Sequence, residues 1–94
     1  MAMTPEGKVK ADVKKYLRER GAWYCMPMGT GFGGSGVPDF LCCWRGIFIA
    51  IETKAPGRIK NTTPLQDIQI AAICSSGGRA LVVDNVEQLK EVFA

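Results

Sequence analysis

Two apolar runs separated by two residues constrain this chain more than any other feature. Val37-Pro38-Asp39-Phe40-Leu41-Cys42-Cys43-Trp44 leads into Arg45-Gly46, and Ile47-Phe48-Ile49-Ala50-Ile51-Glu52-Thr53-Lys54 follows. A two-residue connection containing glycine between such runs predicts an antiparallel hairpin over 37–44 and 47–54. With Arg45-Gly46 as the loop, Trp44 pairs with Ile47, and counting back along both strands sets Asp39 opposite Glu52. Side chains alternate along a strand, so Asp39, Leu41, Cys43, Phe48, Ala50 and Glu52 share one face, with Lys54 beyond them. Phe40, Cys42, Trp44, Ile47, Ile49 and Ile51 share the other. Directly opposed side chains have Cβ atoms about 5 Å apart, and two like charges there repel unless a cation lies between them. Lys54 supplies one positive charge and a divalent metal would supply more. A solvent-screened hairpin end is the bland alternative, but both strands are too apolar for a surface ribbon.

The remaining elements frame this hairpin. Residues 5–20 read as an amphipathic helix with Thr4 as N-cap, Pro5 in the first turn, Gly21 as the stop, and Val9, Val13, Tyr16 and Leu17 as its apolar stripe. Glu6 falls on that stripe. There it is either an acid suited to the helix dipole or a carboxylate aimed at the interior. Residues 22–28 read as a strand. After the polar loop 55–62, Thr63 and Gln66 form a capping box opening a mostly apolar and therefore largely buried helix, which Gly77-Gly78 ends. Residues 79–83 read as a buried strand, and Asp84 caps a last helix over 85–93. The strand–helix–strand unit from 47 to 83 requires parallel pairing. The expected fold class is α/β with a mixed sheet, ordered α-β-β-β-α-β with a C-terminal helix, in one domain over 1–94.

Composition narrows the chemistry. There is no histidine, which excludes Ser-His-Asp, Cys-His and HExxH sites. An apolar share of 47% excludes a disordered tail. No apolar stretch reaches the length of a membrane span, and no secretion signal opens the chain, so an intracellular, cytoplasmic setting is expected (the host cytoplasm for a viral protein). Cys25, Cys42, Cys43 and Cys74 lack metal-ligand spacing and read as reduced, core-packing thiols. Gly29, Gly31 and Gly34 match GxGxxG. The extended Gly36-Val37-Pro38 that follows cannot open the helix a dinucleotide needs, so no nucleotide cofactor is expected. A net charge of +3, concentrated in 1–20 and 45–60, is a mild footprint for a polyanion. Asp39 and Glu52 are hard oxygen ligands suited to Mg²⁺ or Mn²⁺. With Lys54 they permit phosphodiester hydrolysis without an imidazole.

Pro38-Asp39, twelve intervening residues, then Glu52-Thr53-Lys54 resembles the PD-(D/E)XK nuclease motif, and the expected topology is similar to that restriction-endonuclease-like core. More closely, Glu6, Ser35-Gly36-Val37-Pro38-Asp39, Ile51-Glu52-Thr53-Lys54 and Gln66 together resemble the VRR-NUC domain, the virus-type replication-repair nuclease, in its free-standing viral and bacterial form. The resemblance implies a catalytic set of Glu6, Asp39, Glu52, Lys54 and Gln66. It implies metal ligation by Asp39, Glu52 and the Thr53 backbone carbonyl, with Lys54 positioning the attacking water. Relatives often carry a basic residue where Gly34 stands, so backbone contacts with DNA fall to Arg45, Arg58 or Lys60, beside Ser35 and Gly36. The implied activity is a Mg²⁺- or Mn²⁺-dependent, structure-selective DNA endonuclease. It would act as a homodimer on branched DNA such as a Holliday junction. Rival readings are a nicking or restriction-type module targeted by a partner, a non-catalytic DNA-binding domain, and a small nucleotide-binding protein. Trp23, Phe32 and Trp44 are candidates for a dimer face or base stacking, with core burial as the alternative.

Overall fold

A computed structural model of the protein describes residues 3–28 and 36–94. The glycine-rich segment, with Phe32, Gly34 and Ser35, lies outside the described residues. Helix α1 (Pro5–Arg20) starts and stops where the sequence signals it. The Thr4 hydroxyl accepts from the Gly7 N–H at 3.0 Å, and Gly21 closes the helix at φ 73°. Strands β1 (Trp23–Cys25), β2 (Phe40–Trp44), β3 (Ile47–Thr53) and β4 (Arg79–Val83) form one sheet in the order β1-β2-β3-β4. β1 is shorter than the strand expected over 22–28. Among the described residues it is an edge strand paired to β2 alone, and Pro27 has no N–H to extend the ladder.

The hairpin register is the expected one, from Phe40↔Ile51 to Trp44↔Ile47. Its two loop residues both take positive φ, 50° at Arg45 and 80° at Gly46, as a tight turn matched to strand twist requires. β4 lies parallel to β3, with Ile49↔Arg79 through Thr53↔Val83 in register. Helix α2 (Pro64–Ser75) makes the crossover between them. Its capping box is complete: the Thr63 hydroxyl accepts from Gln66 N–H, and Gln66 Oε1 accepts from Thr63 N–H.

Nearly the whole core sits on one face of the sheet. Phe40, Cys42, Trp44, Ile49 and Ile51 pack there with Val9, Val13 and Leu17 of α1 and with Val83, Leu89 and Phe93. That asymmetry overturns three expectations, the first being that β4 is buried: of its residues only Val83 is, and Arg79 is exposed. α2 has no buried residue, and Leu65 and Ile68 are 52% and 63% exposed, where a largely buried helix was expected. A helix apolar around its circumference covers only the stripe that meets the sheet, that stripe is no more than half-buried here, and the α1 side of the sheet carries the core instead. Of the four cysteines only Cys42 is buried, where core packing was expected for all; Cys43 points to the opposite, open face. Burial pushes the Cys42 thiol up to about 12, with Cys25 adding to it.

The chain end also departs from expectation. A short 3₁₀ helix (Val86–Leu89) followed by turns replaces a helix over 85–93. Gln88 Oε1 accepts from the Asp84 and Asn85 N–H groups, and the bonds beyond tighten to Lys90 N–H→Glu87 O and Val92 N–H→Leu89 O. Leu89 and Phe93 still reach the core, and Phe93 meets the edge of Tyr16. Trp44 is buried and Trp23 is 65% exposed. No helix among the described residues is long and apolar enough to cross a membrane.

Candidate active site

Asp39, Glu52, Lys54, Gln66 and Glu6 gather where one end of the sheet meets the first turns of α1 and α2. Asp39 immediately precedes β2, and the last residue of β3 holds it. Asp39 Oδ2 accepts from the Thr53 N–H at 2.9 Å and from the Thr53 hydroxyl at 2.6 Å. These two bonds fix the carboxylate and leave Oδ1 free of them.

Glu52 is 4% exposed although it carries an acid. Its Oε2 accepts from Gln66 Nε2 at 3.0 Å and lies 3.6 Å from Lys54 Nζ. Its Oε1 is buried and has no hydrogen-bond partner among the described residues. A buried carboxylate oxygen without a donor is costly, so such an atom calls for a cation, a donor or a proton. Burial pushes the Glu52 carboxyl up to about 7, the Asp39 charge adds to the rise, Lys54 opposes it, and Glu6 adds further. The sheet supplies this burial, because Glu52 follows the run Ile49-Ala50-Ile51 and all three of those residues are inaccessible.

Lys54 Nζ donates to Gln66 Oε1 at 3.0 Å. Gln66 therefore faces both ways: its oxygen takes the Lys54 ammonium and its amide N–H₂ takes Glu52. The same oxygen caps α2 through Thr63 N–H. The capping role and the site role, both read from the sequence, are thus performed by one side chain. Gly36 carries φ 81°, and a side chain there would overlap the Leu65 carbonyl and come within 2.7 Å of the Gln66 nitrogen. Its lack of a Cβ lets the chain before Asp39 lie against the first turn of α2.

Glu6 stands at the rim, its side chain 46% exposed. Lys10, one turn along α1, bridges towards both acids, with Nζ 3.9 Å from Glu6 Oε2 and 3.6 Å from Asp39 Oδ1. Lys10 and the Thr53 hydroxyl were missed from the sequence. The i,i+4 spacing of Glu6 and Lys10 was the signal available for the first. A hydroxyl beside a carboxylate across a hairpin gives no signal until the register is known. Arg45 is not brought to this end. It lies at the hairpin turn with its guanidinium 4.6 Å from the Trp44 ring centre, six residues from Asp39, or about 20 Å along a strand. Arg58 and Lys60 are exposed in the segment joining Lys54 to α2, and Ser35 lies outside the described residues.

The donor set fits a hard divalent cation. Among the described residues no three carboxylate or thiol groups gather to hold a metal. Asp39 Oδ1 and Glu52 Oε1 are the oxygens of these two acids left without hydrogen bonds among the described residues. Magnesium is commonly held by one or two carboxylates, with water and substrate phosphate completing the shell.

No family model matches the chain, and no curated protein matches it. A solved structure described as a VRR_NUC domain is similar to it, with 26% identity over 96% of this chain and 95% of that one, at a TM-score of 0.75. The mixed α/β architecture is that of a VRR_NUC nuclease fold, as the resemblance in the sequence implied.

Proposed function

We propose that this chain, folded as a VRR_NUC domain, is a single-domain, divalent-metal-dependent DNA endonuclease selective for branched structures, working as a Holliday-junction-resolvase-like homodimer. The observation that carries the reading is the unpartnered, buried Glu52 Oε1 beside Asp39. Asp39, Glu52 and the Thr53 backbone carbonyl would hold Mg²⁺ or Mn²⁺. The ion would polarise the scissile phosphate and lower the pKa of a bound water. Thr53 keeps Asp39 in place through its N–H and hydroxyl. Lys54, 11% exposed and tied to Gln66, directs its ammonium at the attacking water and offsets charge developing on phosphorus. Gln66 orients Lys54 and Glu52 together, and Glu6 adds negative charge at the rim. Gly36, Arg58 and Lys60, with Ser35, are the candidates for backbone contact with DNA near the site, and Arg45 for contact at the far end of the hairpin. The exposed apolar residues of α2 and Phe48 support a second copy as partner. Four free cysteines suit a reducing, intracellular setting.

The test incubates the protein with a four-way junction, a linear duplex and a supercoiled plasmid, with Mg²⁺, with Mn²⁺ and with chelator. Asp39→Ala and Lys54→Ala run in parallel. Metal-dependent cleavage of the junction is expected, falling at least about a hundredfold in each variant. Undiminished cleavage by both variants removes the site assignment. Equal cutting of linear and branched DNA removes the structure selectivity. Metal-independent binding without cleavage leaves a DNA-binding domain.

A further inference from the structure

Among the described residues, Lys10 is the α1 side chain that forms an ion pair with Asp39, the acid preceding β2. Its Nζ stands 3.6 Å from Asp39 Oδ1, the oxygen that the two Thr53 bonds leave free. It stands 3.9 Å from Glu6 Oε2. These are ion-pair separations too long for hydrogen bonds, so charge rather than a directed bond holds the ammonium there. Lys10 is 35% exposed, so it has a way out to solvent. Its neighbour Lys8 differs: it donates to both oxygens of Asp12 at 3.1 and 3.0 Å on the helix surface. Lys54 differs in the other sense, being 11% exposed and bonded to Gln66. Two lysines thus approach the carboxylate cluster, one fixed and one only attracted.

We infer that Lys10 is the site's own removable counter-ion. It neutralises Asp39 and Glu6 while no divalent ion is present. It leaves Asp39 when the ion binds, and then presents its ammonium to a phosphate of the bound strand. The inference rests on the nuclease reading and deepens it. An ammonium beside Asp39 Oδ1 loses its hold once a doubly charged ion occupies that oxygen, because the two cations repel and no hydrogen bond ties the ammonium there. A lysine stem is long and flexible and its head is a compact, mobile charge, which suits transfer from a carboxylate to a phosphate. The released ammonium would lie at the rim beside Glu6, open to solvent and to a phosphate.

The experiment has two readouts besides cleavage. Mn²⁺ is titrated calorimetrically, without DNA, into the metal-free wild type and into Lys10→Met, Lys10→Arg, Lys8→Met and Glu52→Gln. Lys10→Met should bind Mn²⁺ about threefold tighter or more, with Lys10→Arg and Lys8→Met close to wild type. Binding of a four-way junction is then followed against salt with Ca²⁺ in place of Mg²⁺. Lys10→Met should lower the slope of log affinity against log salt by about one, and Lys8→Met should lower it less. Unchanged or weaker Mn²⁺ binding by Lys10→Met overturns the counter-ion role. A salt slope no lower than that of Lys8→Met overturns the phosphate contact. A wild type that binds no Mn²⁺, and so matches Glu52→Gln, removes the nuclease reading itself and this inference with it.

Discussion

With one oxygen bonded to Gln66 and the other buried without a donor, Glu52 releases its proton far less readily in the folded chain than in the unfolded one. Its pKa moves from 4.5 to about 7, first through burial and then through Asp39. A carboxyl whose folded pKa is raised contributes stability that is complete below the unfolded value and is lost as pH rises through the folded one. The metal-free protein should therefore melt at falling temperature between about pH 5 and pH 7.5. Glu52→Gln should flatten that fall, and a divalent ion should raise the melting temperature at pH 7.5. Calorimetric scans across pH check all three outcomes. The same residue shows how far sequence reading reaches. Its pairing with Asp39 followed from counting along two strands, because strand alternation is fixed by covalent geometry. Its bond to Gln66 did not, because that contact spans the crossover and depends on where α2 docks.

Gly36 sets the docking of α2 at the scale of elements. Its positive φ and the close Leu65 and Gln66 backbone leave no room for a side chain. Gly36→Ala should destabilise the fold by about 1–3 kcal/mol, measured by urea unfolding. It should also lower cleavage more than that loss explains, since any retreat of the first α2 turn draws Gln66 from Lys54 and Glu52. Cleavage equal to wild type at a temperature where the variant is fully folded would show that α2 need not sit at this distance. Element identity was legible wherever a local signal existed: caps at Thr4 and Thr63, a glycine stop at Gly21, a glycine turn at Arg45-Gly46. It failed at the C-terminal segment, where Asn85 rather than Asp84 is the N-cap and a 3₁₀ turn over Val86–Leu89 stands in place of a longer helix. Helical spacing of Val86, Leu89 and Phe93 is compatible with both outcomes.

Across the whole molecule the apolar surface is uneven. One sheet face carries the core, while α2 and the β3 start leave Leu65, Ile68 and Phe48 at 52%, 63% and 44% exposure. Phe48, Ala72, Ile73, Ser76 and Gly78 line a shallow apolar hollow beside them. An uncharged face of this kind suits an isologous contact, in which each residue meets its own copy or a near neighbour. Light scattering at micromolar concentration should give twice the 10.2 kDa chain mass, and Ile68→Lys should return it to one chain. A monomeric wild type removes the dimer and leaves the carboxylate site intact. By itself the sequence determined the hairpin, its register and the face that carries Asp39, Glu52 and Lys54, because alternation and turn chemistry act over a few bonds. It determined that the chain brings no histidine to any hydrolysis. Only the tertiary structure decided that Gln66 bonds Lys54 and Glu52 at once, that Lys10 crosses from α1 to Asp39, and that α2 stays open to solvent. Each of those outcomes depends on which face of the sheet receives which helix, and that choice is made by packing among residues far apart in the chain.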